Sequence, residues 1–300
     1  MPEHGPANRQ SLALGLLGVF CFSLTLPATR LAVIDLDPAF VGLGRAVVAG
    51  SLAALALWSA KAPIPAGKQW LRLGTTALGV VIGFPLLSAL AMKSVPAAHG
   101  AIIVGLIPLF TALFGAWLAR ERPGLIYWLS TLVGSAAIIA FSFEAGAGTF
   151  QTADLLLLGS VIAAGFGYAE GARLSKEIGA WQTISWALLL SAPVLLPPVV
   201  MLAPANMLAV SWASLLGFAY VSIVSMYLAF FAWYKGLSMG GIARVGQLQL
   251  LQPFLTLAGA AIILGESIEA SQIIAAVIVL CCVAAGRKSL AVATAVIQKH

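Results

Sequence analysis

Residues 105–121 read GLIPLFTALFGAWLARE, and residues 250–266 read LLQPFLTLAGAAIILGE. Both spell Pro-x-x-Thr, nine residues, then Glu: Pro108, Thr111 and Glu121 in one copy, Pro253, Thr256 and Glu266 in the other, at a constant offset of 145 residues. A pattern repeated at that distance marks a duplicated unit of roughly half the chain. Composition says what kind of unit. The 300 residues are 61% hydrophobic and 9% charged, with a mean hydropathy of +1.02, whereas soluble domains carry roughly 25% charge. The solvent for this chain is a bilayer.

Apolar runs long enough to cross a ~30 Å hydrocarbon core recur from Ser11 to Gly286. Ten spans are expected, at residues 11–34, 39–59, 70–92, 97–119, 124–143, 152–176, 181–203, 210–235, 240–264 and 270–287. The first motif falls on the fourth span and the second on the ninth. A repeat of five crossings is odd, so the two copies are expected to be inverted relative to one another. Weaker echoes extend the duplication: Gly15 and Phe22 match Gly159 and Phe166, and Arg30-Leu31 matches Arg173-Leu174. The expected fold is an all-α membrane protein of ten helices, with five-helix repeats at 11–143 and 152–287 and cytoplasmic tails at 1–10 and 288–300.

Basic residues set the orientation. With the N-terminus inside, 13 of the 16 lysines and arginines lie on the cytoplasmic side, and Arg30, Arg45 and Lys93 alone lie outside. Both termini are then cytoplasmic, and the net charge of +6 is explained by topology and anionic lipid, without nucleic acid. The first apolar run is too long for a cleaved signal peptide, and Arg30 spoils a small-residue cleavage site. Cys21, Cys281 and Cys282 all fall within spans and read as packing residues.

The two Pro-x-x-Thr-x9-Glu blocks, combined with the five-plus-five layout, resemble the drug/metabolite transporter superfamily, specifically the EamA-type ten-helix exporters, over nearly the whole chain from about Ser11 to Gly286. The resemblance implies export of amino acids, other small metabolites or drugs, and one branch of the family handles aromatic amino acids. It implies no particular cargo for this chain.

The residues themselves suggest where a cargo would sit. A proline within a helix leaves the carbonyl four residues earlier unpaired, and in a bilayer that carbonyl must face protein or a watery cavity. Pro108 frees Val104, next to Gly105, and Pro253 frees Gln249. Their symmetric placement points to a central cavity; helix shaping alone is the competing reading. At the same offset His99 matches Arg244, each near the start of its helix and on opposite sides, so that either could meet a substrate carboxylate; snorkelling or capping is the alternative. On an α-helical wheel Gln247 and Gln252 lie on one side with Arg244 and are the expected cavity amides, or interhelical glue, while Gln249 points further round. Phe84 beside Pro85, Tyr168 after Gly165 and Gly167, and Tyr227 are the candidate aromatic walls. Glu121 and Glu266, at helix ends, read as structural. The pairs Gly79/Gly83, Gly167/Gly171 and Gly236/Gly240 read as close-packing or hinge sites.

Absent motifs narrow the class. There is no G-x-x-x-x-G-K-[ST], H-E-x-x-H or G-x-S-x-G, which argues against an ATP-driven pump or a metal-dependent enzyme, and no cofactor is implied. No acidic residue is expected near the midplane; Asp154, for example, is placed at the outer end. The expected cavity is neutral, amide-lined and aromatic-walled, suited to an amino acid with an aromatic or bulky side chain, exported down its gradient or coupled to protons through His99. A drug or nucleoside exporter remains open, as does a membrane enzyme or lipid-handling scaffold with no pathway. The expected partners are the small solute and membrane lipid, in the inner membrane, with the chain as a monomer or weak homodimer.

Overall fold

The computed structural model describes residues 6–118, 129, 133, 151–278 and 280–281, and every regular element among them is helical. Seven helices are long and apolar enough to cross a membrane: α1 (Arg9–Ala32), α2 (Pro38–Ser59), α3 (Gln69–Met92), α4 (Ala97–Leu118), α5 (Thr152–Ile178), α6 (Ala180–Leu202) and α7 (Trp212–Gly240). An eighth, α8, spans residues 242–264 in shorter pieces, and a further helical stretch starts at residue 270. The chain is thus a multi-pass membrane protein. The expected fifth span at 124–143, apart from residues 129 and 133, and Glu121 lie outside the described residues.

Helix ends are set by local chemistry. Asp37 accepts from the N–H groups of Ala39 and Phe40 at 2.8 and 3.0 Å, and Pro38 opens α2 at a position where a missing N–H costs nothing. Single glycines with positive φ, Gly179 at 96° and Gly241 at 86°, turn α5 into α6 and α7 into α8. The expected stop at residue 235 was therefore five residues short: Lys235 stays helical, and the chain turns only at Gly241.

The symmetric proline sites interrupt their helices in matching ways. α4 divides into Ala97–Val104 and Ile107–Leu118, with Gly105 and Leu106 between. In α8 the residues before Pro253 wind as a 3₁₀ segment, Gln247–Leu251. Two further irregularities also match: α3 widens to a π-helix at Leu78–Gly83 and α7 at Tyr220–Leu228, a correspondence that the 145-residue offset reproduces.

Packing follows the duplication but crosses it. α1 packs along α7 and α5 along α3; α2 pairs with α6, and α4 with α8. Each half thus places its first helix against the third helix of the other half. Small residues bring the α3–α5 backbones together, since a Cβ on Gly79 would lie 2.6 Å from the Ala163 carbonyl oxygen and 2.9 Å from the Gly167 Cα. The second copy of the motif acts across the same boundary. Glu266, just past α8, accepts from Ala97 N–H at 2.9 Å and Ala98 N–H at 2.8 Å, capping the helix that carries the first copy.

Candidate functional site

The two π segments face one another across the centre of the bundle. Val80 of α3 and Ser225 of α7, equivalent at the 145-residue offset, both line an internal cavity. Phe84, just after the α3 π segment, lines it too, as do Phe22 of α1, Tyr168 of α5 and Phe230 of α7. The rings form one cluster: Phe22 and Tyr168 stack at 5.8 Å between centroids, and Phe22 meets Phe230 edge-on at 5.0 Å. In this conformation the cavity is contracted. The volume open to the centre of a water is ≈ 10 Å³, room for about one water molecule.

One wall of this aromatic cavity carries a charge. Arg45 of α2 is 2% exposed and lines it. This corrects the expectation of an external Arg45 and of a neutral, amide-lined cavity. Arg45 lies seven residues into α2, or ~10 Å below the helix start, and not in a connecting loop. Its Nη2 donates to the Ser225 hydroxyl at 2.8 Å, and that hydroxyl is hydrogen-bonded to Thr25 at 2.7 Å. Sequence reasoning had a signal here, since Arg45 is the only charged residue in its apolar run, and intramembrane charges mark functional positions.

The sequence candidates divide. The structure brings Phe84 and Tyr168 together with Arg45 on the cavity. Tyr227 is buried, but it hydrogen-bonds Ser185 at 3.1 Å, packs edge-on against Phe231 at 4.6 Å and does not line this cavity. His99 is buried with its Nε2 2.6 Å from an Asp154 carboxylate oxygen, so a carboxylate of the protein already holds the position expected to receive one from the cargo. Gly105 and Pro108 are buried at the α4 interruption, away from the lining. The side chains of Arg244 and Gln247 lie outside the described residues. Gln252 is buried with its Oε1 unpartnered, and Gln249, at 1% exposure, has neither amide atom bonded. Gln249 and Gln252 are three residues apart and so share a face in either winding, and both are buried beside the interruption at Pro253.

At the end opposite the termini in the positive-inside reading, a second cavity of ≈ 410 Å³ is lined by Arg30, Lys93 and Glu266, with Val33, Ile34 and Leu264. At the other end Arg72 of α3 binds Glu170 and Glu177 of α5, and Arg173 pairs with Glu170 at 3.0 Å. This ion-pair cluster ties helices of the two halves together.

The EamA-like transporter family matches residues 10–143 and again 151–285. The chain belongs to that family. Among curated proteins it is similar to the uncharacterized transporter YdeK of Bacillus subtilis (strain 168), 46% identical over 274 residues, which span 91% of this chain and 96% of that protein. A solved structure described only as "Crystal structure of protein" shares its fold, with a TM-score of 0.66 and 16% identity over 92% of this chain and 97% of that one. Membership in this family makes the chain a transporter by kind.

Proposed function

We propose that this EamA-family transporter exports small metabolites from the cytoplasm by alternating access between two inverted repeats, and that amino acids with aromatic or bulky side chains are its cargo. The observation that carries the reading is the ring-walled cavity between α1, α3, α5 and α7, which draws its walls from both halves of the chain. Among the described residues its lining includes no carboxylate, which weighs against the dicationic drugs that need one. The inner (plasma) membrane is the proposed location, with lipid as the surrounding partner and the monomer or a weak dimer as the working unit. Coupling is proposed to be absent or carried by protons at the buried His99–Asp154 pair.

The test is counterflow of radiolabelled tryptophan or phenylalanine in proteoliposomes containing the purified protein, without an ion gradient, beside Tyr168→Ala and Pro108→Ala. Saturable exchange that both substitutions reduce at least tenfold is expected; flux equal to empty liposomes overturns the cargo. Proton coupling predicts that flux collapses without a pH gradient and again in His99→Ala.

A further inference from the structure

We propose that Arg45 is the anchor for a carboxylate on the cargo, and that the cargo is recognised as an aromatic organic anion whose amine is dispensable. This rests on the transport reading above and names the chemistry of its site. Arg45 Nε and Nη1 are buried without a hydrogen-bond partner, so at least three of the five guanidinium N–H donors are unused. Among the described residues the ion pairs involve Arg72, His99 and Arg173, and no carboxylate lies within pairing distance of Arg45. An arginine stays charged even when buried, and a buried charge without a counter-charge is unfavourable. A cargo carboxylate would supply both the missing charge and the planar acceptors that a guanidinium fits.

The rest of the cavity fits one half of an amino acid only. Phe22, Phe84, Tyr168 and Phe230 offer stacking surfaces for a ring, and Arg45 takes the carboxylate, but among the described residues no acidic side chain lines the cavity to receive an ammonium. A separate observation points the same way. Arg30, Arg45 and Lys93 are the three basic residues that depart from the positive-inside pattern. Arg45 sits in the central cavity, whereas Arg30 and Lys93 line the 410 Å³ cavity at the outer end. There they face a single carboxylate, Glu266, whose oxygens already accept from the Ala97 and Ala98 N–H groups. Two cations against one committed carboxylate give the outer end a positive potential that attracts anions.

The experiment uses the full chain in detergent and in proteoliposomes with three ring-matched probes: tryptophan, indole-3-propionate, which lacks the amine, and tryptamine, which lacks the carboxylate. Indole-3-propionate is expected to raise the melting temperature and to compete for tryptophan counterflow within about threefold of tryptophan itself, while tryptamine does neither at tenfold higher concentration. Arg45→Gln is expected to melt, without ligand, no lower than the parent chain and to lose protection by both carboxylates at least tenfold; Arg45→Lys loses it nearly as far. A merely structural arginine would instead lower the ligand-free melting temperature when removed. Competition by tryptamine equal to that by tryptophan overturns the carboxylate anchor and leaves the transport reading standing. Failure of all three probes to move or to protect the parent chain overturns the cargo reading and the anchor with it. The probe panel on the parent chain does not depend on any variant folding.

Discussion

Arg45 and His99 are both cationic or titratable groups buried in an apolar chain, and their surroundings give them different roles. His99 meets Asp154 at 2.6 Å, each side chain less than a tenth exposed. Such a pair is satisfied internally, and removing one partner strands the other. Breaking a buried pair from one side costs ~3–5 kcal/mol, so Asp154→Asn is expected to lower the melting temperature by many degrees. Thermal unfolding in detergent checks this, with His99→Gln/Asp154→Asn expected to regain part of the loss because neither charge remains. Arg45, which lines the cavity, bonds the Ser225–Thr25 hydroxyl pair through Nη2, and its Nε and Nη1 have no partner. A residue whose partner is built into the fold has no vacancy for a cargo carboxylate, whereas one with unpartnered donors on a cavity-lining side chain is available to a ligand.

Helices in this chain are defined by their interruptions. Pro108 and Pro253 break α4 and α8, and the π segments of α3 and α7 rotate the residues that follow them. Phe84, just after the π segment of α3, and Ser225, within that of α7, line one cavity from two sides. The π segment of α3 also lies against α5 at backbone distance, made possible by Gly79 and Gly167. A side chain at Gly79 meets the Ala163 carbonyl, which is backbone and cannot swing aside. Gly79→Leu is therefore expected to force α3 and α5 apart, lowering the melting temperature and abolishing counterflow, while Gly74→Leu, whose nearest neighbour is a leucine side-chain methyl at 3.9 Å, leaves both nearly unchanged. Parallel thermal melts and transport assays of the two variants decide it.

The two ends of the bundle are closed by different means. At one end the closure is ionic, through Arg72, Glu170, Glu177 and Arg173. At the other it is close packing of α7 on α1, where a Cβ on Gly217 would lie 2.5 Å from the Ala28 carbonyl. If the ionic cluster is a latch, Arg72→Ala should expose the cavity to the cytoplasm. In a cysteine-free background, Ala164→Cys is expected to react several-fold faster with an impermeant maleimide in inside-out vesicles when Arg72 is also replaced; an unchanged rate assigns the cluster to static structure. The packed end is further tied by Asp35, whose carboxylate accepts from the Ser211 N–H at 3.0 Å and the Ser214 hydroxyl at 2.9 Å. Hydrogen bonds from the Ser211 side chain, the Ser211 backbone and the Ser214 side chain hold the Asp35 carboxyl below the usual carboxylate range. A lowered pKa contributes stability above the unfolded value, ~3.9, and loses it as pH falls through the folded value. The melting temperature of Asp35→Asn relative to the parent is thus expected to be constant from pH 8 to pH 5, with the difference shrinking only below about pH 4.

The sequence by itself determined the membrane class, the duplication and most of the helix limits, because the hydrophobic length of a span and the motif offset are properties of the chain taken one stretch at a time. It also marked Phe84 and Tyr168, aromatic residues beside a proline and between glycines. Only the tertiary structure decided that Arg45 lies inside, that His99 is already paired with Asp154, and that the residues before Pro253 wind as a 3₁₀ segment. Arg45 is brought to the cavity by packing of α2 against α3 and α7, His99 meets a residue 55 positions away, and the 3₁₀ winding before Pro253 changes the angle per residue from the value that a helical wheel assumes. Each of those outcomes depends on where a side chain is carried by helices distant in sequence or by a local change of winding, and neither is written in the order of hydrophobic and polar residues.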